Sequence, residues 1–249
     1  MRKRILLIVG AGAALAALAV VAVVAIWLLR SDDPNLLTSA PTITAGTATA
    51  GASATAAPAG VTPVPVNLPA GVRRFIVVPR ESLAKFVVEE TLRGLDATAV
   101  GTTSEITGEI YLSKDGLYAD LPSLFKVDLR KLETDEGLRD NYIKTNTLDT
   151  SRFPFAEFKV ERVTGFPASY VEDVEVQLTL SGTMTIHGVS KPLTFTVKAR
   201  QLGNTLGATA DAEFKMTDFG MTPPEFPGTA KARDGVHLQI VLIAREIGS

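Results

Sequence analysis

The chain has 249 residues, 46% of them hydrophobic, with 25 Lys and Arg against 27 Asp and Glu and a net charge of −2. That balance excludes a basic nucleic-acid-binding surface. With no cysteine, the chain can form no disulfide, thiolate nucleophile, cysteine-ligated metal site or acylated lipobox cysteine.

Residues 5–29 carry no charge. As a helix this run spans roughly 37 Å, enough for the ~30 Å hydrocarbon layer with some tilt. Arg2, Lys3 and Arg4 precede it, and only Arg30 follows, offset by Asp32 and Asp33. This asymmetry predicts a single-pass anchor in membrane lipid, over residues 1–30, with the N-terminus cytoplasmic and the remainder extracytoplasmic. Trp27 then sits at the outer interface. A cleaved signal peptide would have a shorter apolar core, of about 7–15 residues, with a small-residue cleavage site. A dinucleotide fingerprint, suggested by "LLIVGAGAALAA", would need a polar loop and a second strand, whereas here the apolar run continues.

Residues 31–69 are rich in Thr, Ala, Pro, Ser and Gly and hold no Lys or Arg. No periodic apolar face offsets chain entropy, so the segment is expected to be a disordered linker. Residues 70–249 are enough for one domain. Setting aside residues 1–33 leaves 21 basic against 25 acidic groups, again no nucleic-acid binder.

Within this domain the apolar residues recur with period two. Strands or bent strands are predicted over 73–78, 82–92, 99–112 and 116–132. A short helix follows over 134–145, with Thr134 as N-cap, Asp135 and Glu136 at the positive end of the helix dipole, Leu138 and Tyr142 on one face, and Asp140 paired with Lys144 outside. Strands resume at 174–186 and 192–201, joined as a hairpin by the turn "HGVSK", and again at 204–216 and 235–245. About eight strands, each with one apolar face, predict an all-β antiparallel barrel with one short helix. Small residues on the apolar faces (Gly108, Gly182, Ala208, Ala210, Ala212) have two readings: an open lumen, or close approach of backbones.

Chemistry-bearing groups are sparse. His187 lies in the hairpin turn and His237 on the more polar face of the last strand, so no metal site is expected. No nucleophile elbow, P-loop or zincin motif occurs. Glu172 and Asp173 are neighbours in extended chain and face opposite ways. Arg139 and Asp140 are either a charged clasp at a cavity mouth or groups on a helix surface that cap loops. No catalytic residue and no required cofactor follow from these residues.

Five strings in order resemble the YceI-like family of lipocalin-like barrels that bind polyisoprenoid or related amphiphilic lipids. They are "FIVVPRESLAKFVV"; "VGTTSEITGEI"; the run containing Arg139 and Asp140, then Phe153, Pro154 and Phe158; the hairpin with Gly182, His187 and Gly188; and Asp218, Phe219 and Gly220. Val78 and Glu81 stand where many members have Asp and His, and Thr217 where many have Arg, which puts the polar end of any ligand in doubt. The resemblance implies a non-enzymatic protein holding an isoprenoid-type lipid in its lumen. Candidate lumen residues are Val176, Leu178, Leu180 and Met184 on one strand, Phe195 and Val197 on the next, then Leu206 and Phe214. Arg139 and Asp140 are expected to hold the helix in place rather than do chemistry. A surface interaction module with a filled barrel core is the alternative, and a homodimer is compatible with either.

Overall fold

The structure, a computed structural model, describes residues 35–43, 68–114, 116–118 and 120–247. The expected anchor and most of the expected linker lie outside these residues. Among the described residues, no helix is long and apolar enough to cross a membrane.

Among the described residues, twelve strands form one sheet. They are β1 (Arg73–Val77), β2 (Leu83–Leu92), β3 (Leu95–Thr103), β4 (Ile106–Ser113), β5 (Gly116–Leu117), β6 (Leu124–Asp128), β7 (Phe155–Thr164), β8 (Val176–Ile186), β9 (Val189–Leu202), β10 (Thr205–Lys215), β11 (Glu225–Phe226) and β12 (Ala230–Ile247). The order β1-β4-β6-β7-β8-β9-β10-β12 closes on itself through β1–β12 pairing, so eight strands make an antiparallel barrel. The β2–β3 hairpin extends the wall from β12, while β5 and β11 are short additions to β4 and β12.

The wall divides at Pro79, which cannot donate to a strand ladder. A single turn of 3-10 helix, Pro79–Glu81, separates β1 from β2. Ser82 repairs the gap: its Oγ donates to the Val78 carbonyl at 2.9 Å and accepts from the Ile243 amide at 3.0 Å. β12 consequently pairs with β2 along its first part and with β1 along its last.

The segments expected as single strands at 99–112 and 116–132 are each broken. The first turns at Ser104 and Glu105 into β3 and β4. The second becomes β5, β6 and a 3-10 turn, Leu129–Lys131, begun by Asp128, whose carboxylate accepts from the Arg130 amide at 3.0 Å. On its outer side, β3 is joined only by the bridge Thr102–Glu133 among the described residues. The chain from Leu129 to Leu148, including helix α1 (Gly137–Tyr142) and its wide-turn continuation Ile143–Thr147, follows at that end of the barrel.

Two apolar clusters result. A compact one near the β1 seam surrounds Phe75, Ile106 and Ala244, exposed by 1% or less. The larger one contains the inward faces of β7 to β10 and β12. Two ion pairs hold β1 in place. Arg73 reaches Glu246 of β12 at 2.6 Å, and buried Arg74 reaches Glu109 of β4 at 2.6 Å. Burial pushes the Glu109 carboxyl upward, but hydrogen bonds from Arg74 and Tyr111 outweigh it and hold it below the usual range. The Glu246 carboxyl is held down by its hydrogen bond from Arg73.

Within the segment expected to be linker, residues 35–43 lie against the outer wall. The Gln239 side-chain amide accepts from the Leu37 amide at 2.8 Å and donates to the Leu37 carbonyl at 2.9 Å. Thr209 Oγ1 donates to the Ser39 carbonyl at 2.8 Å, and Glu175 accepts from the Ala40 amide at 2.8 Å. Ile43 and Pro41 pack over Gly207, where an added Cβ would stand 2.9 Å from Ile43. These contacts explain why Gln239 and Thr209, on the polar outer face, are each only 1% exposed.

Candidate functional site

The barrel encloses an apolar cavity of about 600 Å³. Alternation makes it: along the middle of β8, β9 and β10 every second residue points inward, and those residues are apolar. Leu178, Leu180 and Met184 line it from β8, Phe195 and Val197 from β9, and Leu206 and Phe214 from β10. Val176, the remaining expected lumen residue, packs against the surrounding core but does not face the cavity. The rings of Phe158 and Phe195 meet edge to face with centroids 4.9 Å apart.

The small residues divide between the two readings. Ala208 and Ala210 border the cavity and leave volume that larger side chains would fill. Gly108 and Gly182 serve close approach instead. A Cβ at Gly182 would lie 2.1 Å from the Lys159 carbonyl oxygen, and one at Gly108 would lie 2.6 Å from the Phe125 ring. Ala212 is buried in the core away from the cavity.

Most of the wall comes from residues not named as lumen candidates in the sequence. Phe86 and Val88 of β2, Phe125 and Val127 of β6, and Leu238 and Ile240 of β12 all face the cavity. Their period-two spacing was the available signal. Thr147 and Glu90 also reach the cavity, and no local pattern marks either.

Helix α1 stands at one end of this space, and Leu138 and Tyr142, the pair expected on one face, both border it. Leu138 is 69% exposed, while Arg139 is buried. Arg139, Ile143 and Thr147 recur every fourth residue, and all three face the cavity. The Arg139 guanidinium contacts Asp135 at 2.9 Å and Glu90 of β2 at 3.8 Å. It is therefore not on a helix surface; it joins α1 to the wall. Glu136, not Thr134, is the N-cap and accepts from the Leu138 amide at 3.3 Å. Asp140 turns from Lys144 to Thr134, accepting from its amide at 2.7 Å and its hydroxyl at 2.6 Å. Tyr142 packs on Phe226 with ring centroids 4.7 Å apart, so the proline-rich loop after Gly220 helps form the same cover.

The remaining motif residues cluster at the β8–β9 turn. His187 and Gly188 adopt left-handed backbone angles, with φ of 52° and 74°. Phe153 packs against the His187 ring at 4.9 Å and leaves no room for a Cβ at Gly188. His187 Nδ1 lies 3.4 Å from the Phe219 carbonyl oxygen. Phe219 is 1% exposed and meets Phe214 edge to face. Gly220 ends the 3-10 turn Met216–Phe219 in left-handed conformation, and Asp218 is exposed there. Pro154 accepts from the Leu129 amide at 2.9 Å. His237 is distant from this cluster in sequence and bonds Asp211 at 3.0 Å beside Gln239. Among the described residues, no group of three or more His, Asp and Glu side chains is placed to hold a metal.

At the positions that depart from the resemblance, Glu81 pairs with Arg245 at 2.8 Å, and the Thr217 hydroxyl donates to Asp234 at 2.6 Å. Neither group borders the cavity.

The YceI-like domain family matches residues 75–244. Among solved structures, Burkholderia cenocepacia BcnA aligns at 16% identity and TM-score 0.54, over 67% of this chain and 98% of its own. A polyisoprenoid binding domain from Saccharophagus degradans, implicated in plant cell wall breakdown, aligns at 14% identity and TM-score 0.55, over 70% of this chain and 98% of its own. At these identities the likeness is one of fold. Comparison with curated proteins found no match.

Proposed function

Since the chain belongs to the YceI-like family, we propose that it is a lipid carrier rather than an enzyme, holding a polyisoprenoid-like or other long-chain amphiphile in its lumen. The observation that carries this reading is the cavity of about 600 Å³ with an almost wholly apolar wall. That volume lies within the ~300–1,000 Å³ of small-molecule sites. Transfer of a hydrocarbon tail into it gains about 0.8 kcal/mol for each buried CH₂ before ordering costs. No required cofactor enters the proposal. One barrel encloses the cavity, so a second subunit is not needed to complete the site.

The proposal extends to location. The charge asymmetry around residues 5–29 supports a retained anchor with the barrel on the extracytoplasmic side, beside the membrane that supplies the lipid. Native mass spectrometry of the full chain purified from membranes tests the carrier reading. A bound apolar mass is expected. Clean apo protein that also fails to take up added polyprenol would favour the interaction-module alternative. Protease accessibility of the barrel in intact cells tests the orientation.

A further inference from the structure

The cavity wall has one buried hydroxyl without a partner among the described residues. Four Ser and Thr side chains line the wall, and Thr229 among them is only partly buried. Ser123 Oγ accepts from the Tyr111 amide at 3.2 Å, and Thr103 Oγ1 accepts from the Glu105 amide at 3.2 Å. Thr147 is 5% exposed, faces the cavity, and its Oγ1 has no hydrogen-bond partner among the described residues. A buried hydroxyl left in this state carries an uncompensated desolvation cost, which an occupant that bonds it would recover.

The charges at the same end limit what the occupant can carry. Arg139, on the helical face it shares with Thr147, is the guanidinium of the cavity wall. The acidic groups there are Glu90 and Glu136, and Asp135 bonds Arg139 from outside the wall. Lys85 also touches the cavity, but its ammonium turns outward to the Asn35 carbonyl at 2.9 Å. The balance is negative. A phosphate would have to separate Arg139 from carboxylates and then remain beside them in a medium of low dielectric. An ammonium would have to compete with Arg139 for those carboxylates.

We infer that Thr147 is the seat for the polar end of the bound lipid, and that this end is an uncharged hydrogen-bonding group, such as an alcohol or a carbonyl. A threonine hydroxyl can donate to a carbonyl or accept from an alcohol. This assignment rests on the carrier reading above and adds to it the chemical class of the head group.

The test uses the delipidated full chain and four probes that share one twenty-carbon isoprenoid tail: geranylgeraniol, its phosphate, its amine and the headless hydrocarbon. Affinities are read by native mass spectrometry and by mutual competition. The alcohol is expected to bind about tenfold or more tightly than the phosphate and the amine. Thr147→Val should weaken the alcohol about threefold to tenfold and leave the hydrocarbon unchanged, as expected for one hydrogen bond. Thr147→Ser should restore alcohol binding. Phosphate or amine binding as tight as the alcohol's overturns the inference, and so does an alcohol-to-hydrocarbon ratio unaffected by Thr147→Val. In either case, hydrocarbon binding would leave the carrier reading intact. If none of the four probes binds, both fall together.

Discussion

Arg139 and Glu90 face each other at 3.8 Å with only 7% of each side chain exposed, joining α1 to β2 across one end of the barrel. Removing the guanidinium leaves a buried carboxylate without this counter-charge, which typically costs ~3–5 kcal/mol. Arg139→Ala is expected to lower Tm by about 10 °C in a domain of this size, read by thermal denaturation. Replacing both partners by apolar residues, Arg139→Met with Glu90→Leu, should recover most of the loss. An Arg139→Ala variant of unchanged Tm would show that the pair does not hold the cover.

Ala208 and Ala210 border the cavity, so enlarging either fills open volume. Ala210→Phe is expected to abolish the bound lipid mass while moving Tm by only a few degrees, since the new ring enters a void and not a packed core. Retention of lipid at wild-type stoichiometry would place the ligand elsewhere.

The barrel itself was legible because strand alternation writes its inner face directly into the sequence. The hairpin of β8 and β9 is the clearest case: Leu178, Leu180, Phe195 and Val197 all occupy the expected face. The α1 region was not legible in that way. Helical spacing put Leu138 and Tyr142 on one face, and both border the cavity, but nothing local shows that Arg139 is buried, because the carboxylates that receive it come partly from β2, about fifty residues earlier. The docked segment 35–43 was also invisible. It is held mainly through its backbone carbonyls and amides, and composition says nothing about which side chains of a distant wall will bond them.

The seam at β1 makes stability depend on acidity. Glu109 and Glu246 both have carboxyls held below the ordinary 4.5 by bonded arginines. Below that value the unfolded chain takes up protons that the folded barrel resists. Their contribution is therefore complete above about pH 5 and is lost as pH falls through the lowered values. Urea midpoints measured from pH 6 down to pH 3 should fall, and the slope should flatten in Glu109→Gln with Glu246→Gln. An unaltered slope in that double variant would assign acid sensitivity to other groups.

Gln239 bonds both backbone groups of Leu37. Gln239→Ala leaves those groups and Asp211 without the amide, a loss of roughly 1–3 kcal/mol. The expected result is rapid protease cleavage within 35–43 and a lower Tm, with lipid retention unchanged. A segment equally protected in the variant would show that Gln239 does not secure it.

Docking of residues 35–43 on the barrel also sets a leash length. If residues 5–29 sit in a bilayer, only residues 30–34 remain between the membrane surface and the first wall contact, at most about 17 Å of fully extended chain. Most of the Thr- and Pro-rich stretch falls after that contact and so adds no outward reach. The protein would ride close against its own membrane, within range of neighbouring lipids, and could not patrol the space beyond.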